Sequence, residues 1–249
     1  MASPSVAATA VTEVTTAGDP NTVNLPADIV DGSMVLIFYW SPAGTTSTWP
    51  TGWDGGTSAS AFLFHDDGPQ AGSNDLYTAV WRDCDGTEGT TISVDASGDT
   101  KVAAVALRLS GHEDGATAPP EASTAAGDTD QTSEVPDLTP SGGSDDYLWI
   151  AVAHLEGEPG AAPTYPDNYT HSQDTALTGT GGAAGTNGAT AVATRQLTAS
   201  SETGGVFTWA DGGAGNSWIS YRIAVPPSGG APATAVQDII GKGIIPFAR

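Results

Sequence analysis

Apolar residues in this chain come in short runs bounded by Gly, Asp, Asn and Ser clusters. Met34–Trp40 and Leu148–Leu155 are almost continuously apolar. Such runs predict strands buried on both faces. Ile92/Val94, and Val206 or Phe207 with Trp209, lie in shorter segments with alternation, which predict strands with one face covered. The intervening stretches 83–89, 95–99, 201–205 and 211–216 carry turn chemistry. No segment before residue 230 has the spacing of an amphipathic helix. The pattern predicts an all-β chain of short antiparallel strands, a jelly-roll-like β-sandwich.

The same pattern occurs twice. Asp31–Trp40 (DGSMVLIFYW) is answered by Asp145–His154 (DDYLWIAVAH), and Trp49-Pro50-Thr51-Gly52-Trp53 by Tyr165-Pro166-Asp167-Asn168-Tyr169. Ala79–Arg82 matches Val192–Arg195, Thr91–Val94 matches Val206–Trp209, and Val102–Leu109 matches Trp218–Val225. Matches in one order at a nearly constant offset predict two tandem homologous halves. The halves are residues 1–112 and 113–227, followed by a linker and C-terminal peptide over 228–249. The pattern leaves open whether each half closes its own sandwich. The apolarity of both long runs favours packing shared between them.

Composition adds charge to this picture. Lys and Arg number 7 against 29 Asp and Glu, a net charge of −22. Repulsion from phosphate argues against nucleic acid and anionic membrane surfaces as partners. A single cysteine, Cys84, excludes an internal disulfide and reads as a small buried hydrophobe. The start of the sequence lacks the basic and apolar regions of a signal peptide, and no run has the length of a membrane helix. Synthesis and folding in a cytoplasm are expected.

Candidate chemistry is sparse. The four histidines, His65, His112, His154 and His171, form no zinc-binding pattern, and no nucleophile elbow occurs. No catalytic residue and no cofactor is therefore expected. Asp83, Asp85 and Glu88 resemble the opening of a calcium loop without its full spacing, so a solvated hairpin turn is the favoured reading over a metal site. Trp49, Trp53, Tyr165 and Tyr169 could form a sugar-stacking platform, the mark of a carbohydrate-binding or adhesion module. Their repetition at equivalent places favours plugs that close an end of each half. Four arginines pair across the repeat, Arg82 with Arg195 and Arg108 with Arg222, and each is expected to meet a carboxylate.

The end of the sequence is unlike the rest. Beyond the Pro/Gly/Ser linker 226–232, Val236, Ile239, Ile240, Ile244, Ile245 and Phe247 are apolar, and Lys242 and Arg249 face only Asp238 in charge. These eight apolar and basic residues are the expected partner-docking set, since an apolar segment on an acidic body needs a surface to cover it.

The acidic turn into an apolar strand (Asp31–Trp40), the Pro50-Thr51-Gly52-Trp53 turn, the strand Leu76–Arg82 ending in Arg, and Val102–Gly111 together resemble β-sandwich structural proteins of tailed-phage virions. The second half departs from that pattern at Asp167-Asn168-Tyr169. The resemblance spans about residues 5 to 227. It implies a structural role on the virion, as head decoration, head fibre or tail accessory, with capsid or tail proteins, or sister copies, as partners and no enzyme activity.

Overall fold

A computed structural model describes residues 3–42, 47–53, 60–66, 75–96, 100–129, 132–157, 160–177, 187–209 and 216–229. The partner-docking set Val236–Arg249 lies outside them. Every element among the described residues is a β-strand, and all pairing is antiparallel.

The first seven strands are β1 (Ser5–Gly18), β2 (Asn21–Asn24), β3 (Asp31–Ser41), β4 (Ser60–Asp66), β5 (Leu76–Asp85), β6 (Thr91–Val94) and β7 (Thr100–Ser110). Five of them form a sheet in the order β1-β7-β3-β5-β4, while β2 and β6 pair as a ribbon. The remaining strands are β8 (Glu121–Ala122), β9 (Ala126–Asp128), β10 (Thr132–Glu134), β11 (Asp145–Glu156), β12 (His171–Leu177), β13 (Gly188–Ala199), β14 (Val206–Thr208) and β15 (Trp218–Val225). Their sheet runs β12-β13-β11-β15-β8, with β9 also on β15, and β10 pairs β14 as a second ribbon. Read from the other edge, the second sheet repeats the strand succession of the first, with β8 and β9 in the place of β1.

Strand alternation explains the continuous apolar runs. On β3, Met34, Leu36, Phe38 and Trp40 enter a core shared with Leu148, Ile150 and Val152 of β11. The other face of β3, Val35, Ile37 and Tyr39, packs beneath the β2–β6 ribbon with Val23, Ile92 and Val94. On β11, Tyr147, Trp149, Ala151 and Ala153 similarly pack toward Phe207 and Trp209 around β14. The molecule is thus layered as ribbon, sheet, sheet, ribbon. Both central strands are covered on both faces, and each fully buried large side chain contributes roughly 1.5–3 kcal/mol.

Polar contacts also cross between the central sheets. Thr190 Oγ1 donates to the carbonyl of Ala103 at 2.8 Å, Gln196 Nε2 donates to the Pro4 carbonyl at 2.6 Å, and the Leu177 N–H donates to Glu13 Oε1 at 3.0 Å. Gly188 allows a close approach here. A Cβ on it would lie 2.4 Å from the Trp40 indole and 2.6 Å from the Leu155 carbonyl.

Candidate functional site

The turns that the sequence singled out become two matching clasps on the outer faces of the sheets. In the first half, the Trp53 N–H closes a turn on the Pro50 carbonyl at 2.9 Å, with Gly52 at φ 86°. In the second, the Tyr169 N–H reaches the Pro166 carbonyl at 3.2 Å, with Asn168 at φ 68°. Both turns need a left-handed residue at their third position, which Gly and Asn tolerate best. The aromatic that ends each turn receives an arginine. Arg82 Cζ lies 5.6 Å from the Trp53 ring centre, and Arg195 Cζ lies 5.2 Å from that of Tyr169. A glutamate completes each clasp. Arg82 pairs with Glu88 at 3.3 Å, and Arg195 Nη2 pairs with Glu202 Oε2.

This arrangement corrects the sugar-platform reading. Trp49, Trp53 and Tyr169 are 4%, 2% and 1% exposed, so their ring faces are spent on packing and on arginine. Of the four, Tyr165 keeps partial exposure, and its hydroxyl shares a 2.5 Å hydrogen bond with Thr175. The three carboxylates of the candidate calcium loop have other partners. Glu88 accepts the N–H groups of Asp85 and Gly86 at 2.9 and 3.0 Å in addition to Arg82. Asp85 accepts the N–H and hydroxyl of Thr87, which hold its carboxyl below the usual range. Asp83 turns away to accept the Gly115 N–H at 2.9 Å. Its desolvation pushes its pKa up to about 6, against the lowering influence of Gly115 and His112. Among the described residues no three such side chains converge as a metal site. Cys84 is buried in the outer core, and burial pushes its thiol up to about 12.

The second pair of arginines is not equivalent. Arg108 lies opposite Val35, whereas Arg222 lies opposite Ala151, which the repeat aligns with Ile37. The two therefore sit one pleat apart on the same face. Neither Arg108 nor Arg222 shows an ion pair among the described residues, contrary to the expectation of a carboxylate for each. Arg222 is fully buried and donates instead to two main-chain carbonyls, Glu202 at 2.5 Å and Gly204. It supports from below the turn that carries Glu202.

Beside the second clasp lies an open cleft of about 500 Å³, bordered by Tyr165, Asp167, Asn168, Arg195, Glu202 and Thr203. Two of its charged groups, Arg195 and Glu202, are matched to each other. Glu202 receives Arg195 on Oε2 and the Tyr169 hydroxyl on Oε1 at 3.4 Å. Burial raises the Tyr169 hydroxyl to about 12, so it stays protonated and donating. The cleft therefore presents a matched ion pair beside Asp167.

The two clasps should differ in strength. Arg195→Ala strands Glu202, 4% exposed, without its cation and is expected to cost about 3 kcal/mol. Arg82→Ala should cost less, because Glu88 keeps two N–H donors. Urea unfolding of both variants measures this, and equal midpoint shifts would contradict it.

Sequence reading located Arg82 and Arg195, with their partners only as unnamed carboxylates, but missed a buried polar chain in the shared core. There His154 Nδ1 meets Thr190 Oγ1 at 2.9 Å and Nε2 meets the Tyr221 hydroxyl at 3.0 Å. Its one visible signal is a histidine ending an apolar strand, at the position of Trp40 in the first half. Comparison of the chain with protein-family models, with curated proteins and with solved structures returned no match.

Proposed function

We propose that this chain is a non-enzymatic structural protein on the outside of a tailed virus particle, a capsid decoration, head fibre or tail accessory. The observation that carries the reading is the contrast between a strongly acidic, fully packed body and the apolar, slightly basic segment 231–249. The body's strands are committed to a four-layer stack, and its acidic side chains far outnumber its basic ones. The segment holds Ile239, Ile240, Ile244, Ile245 and Phe247, whose burial on a partner would contribute roughly 1.5–3 kcal/mol each before ordering costs. Lys242 and Arg249 would steer it toward an acidic surface. Many weak attachments on a symmetric particle reinforce one another.

The same proposal includes an origin by tandem duplication of one jelly-roll-like unit. The matching strand succession and the clasps at equivalent ladder positions, Arg82 opposite Val35 and Arg195 opposite Trp149, support it.

Truncation after Gly230 tests attachment. The shortened protein is expected to stay folded and soluble but to be missing from purified particles when counted by mass spectrometry. Incorporation at the full-length copy number would remove the C-terminal segment as the anchor. Absence of the full-length chain from every particle preparation would end the virion reading.

A further inference from the structure

We propose that Lys101 and Asn187 condense into an intramolecular isopeptide bond that ties the two halves together. The chain has two lysines, and Lys101 is the one within the described body. In a protein with 29 acidic residues, its ammonium has no carboxylate partner among the ion pairs of the described residues. Its Nζ instead meets Oδ1 of Asn187, a residue 3% exposed and in the other half of the molecule. A lysine placed on a buried amide rather than on one of many available acids is an expensive choice for salt bridging and a suitable one for acyl transfer.

The surroundings supply what that chemistry requires. Ser41 pairs Leu76 on one side and Trp40 pairs Ala103 on the other. Continuing the registers to Pro42, by one residue toward β5 and by two toward β7, sets Asp75 and Lys101 in one cross-strand row. Lys101 lies two residues from Ala103 and Asp75 two residues from Tyr77, both members of the shared core, so the two side chains belong to the same face. Asp75 is 3% exposed and accepts the Tyr77 hydroxyl at 3.3 Å. The Trp40 indole packs on Gly188, next to the buried Asn187.

In the reaction, the Lys101 ammonium first gives one proton to Asp75, and the amine so formed attacks Cγ of Asn187. One C–N bond forms to Nζ and one breaks to the side-chain nitrogen, which leaves as ammonia. Asp75 carries the proton from the attacking amine to the departing nitrogen. No oxidant or co-reactant is needed. Proximity within the folded chain replaces a bimolecular step.

Intact mass of the denatured full-length protein tests the proposal. The expected mass is that of the sequence less one ammonia, with a branched peptide joining residues 101 and 187 after digestion. Asn187-Gly188 could lose the same ammonia by cyclising to a succinimide, so a second variant is required. Lys101→Arg keeps the charge but should restore the full mass and lower the melting temperature by roughly 10 °C, as expected for releasing a long closed loop. An unmodified wild-type mass overturns the proposal. So does a deficit that persists in Lys101→Arg without a branched peptide. Asp75→Asn is expected to leave the wild-type fold but most molecules uncondensed, and full condensation in that variant removes Asp75 from the proton path.

Discussion

Acidification below pH 6.5 is expected to remove folding stability on the order of 4 kcal/mol through His154 alone. The residue is fully buried, and desolvation lowers its pKa from 6.5 to about 3. Thr190 Oγ1 already donates to the Ala103 carbonyl, so toward His154 it accepts, and Nδ1 must carry the hydrogen. Nε2 is then the lone-pair acceptor for the Tyr221 hydroxyl. A second proton on the ring would destroy that bond and place a charge in the apolar interface among Tyr77, Tyr221 and Val152.

The unfolded chain takes up the proton as pH falls through 6.5, whereas the folded chain resists it until about 3. The contribution is therefore complete above pH 6.5 and is lost progressively between the two values. Asp83 works in the opposite sense. Its raised pKa means that the folded state binds its proton first, so acidification through pH 6 favours folding at that position. The contrast isolates His154. His154→Phe should be less stable at neutral pH, because the hydrogen bond between the ring and the Tyr221 hydroxyl is lost, but its stability should fall far less on acidification. Urea unfolding at pH 7 and pH 4 measures both slopes, and parallel acid limbs for the two proteins would refute the assignment.

Replacing Arg222 by methionine is expected to cost about 3–5 kcal/mol. The guanidinium is fully buried and satisfies the carbonyls of Glu202 and Gly204, which would be left inside without donors. Loss of those bonds also frees the turn that presents Glu202 to Arg195, so the Arg195 clasp should weaken in the same variant. Double-mutant cycles between Arg222 and Arg195 are therefore expected to show coupling. Arg108→Met, on the same outer face of the first half but partly exposed, should stay within about 1 kcal/mol of the parent. Equal costs at the two sites would mean that the carbonyl contacts of Arg222 carry no special weight.

Much of the architecture was legible in one dimension. Strand alternation has a period of two, so the unbroken apolarity of Met34–Trp40 and Leu148–Leu155 required a cover on each face, and the structure provides both. Turn chemistry was equally local. Pro50-Thr51-Gly52-Trp53 and Pro166-Asp167-Asn168-Tyr169 place Gly or Asn where a positive φ is needed. The arginine that follows each apolar strand marked the clasp, although its glutamate could be named in advance only as some carboxylate.

What the sequence could not decide were relations between distant strands. Burial of Trp53 and Tyr169 depends on which side of the sheet each turn folds over, and this separated a packed plug from an exposed sugar platform. The one-pleat displacement of Arg222 from Arg108 depends on ladder register, which similar strand sequences do not reveal. The meetings of His154 with Thr190, and of Lys101 with Asn187, join residues 36 and 86 positions apart. They arise from the stacking of one sheet on the other. Local propensity determines strands and turns because it acts between neighbours along the chain. Choice of facing surfaces is made by the whole core at once, so those pairings exist only in the tertiary structure.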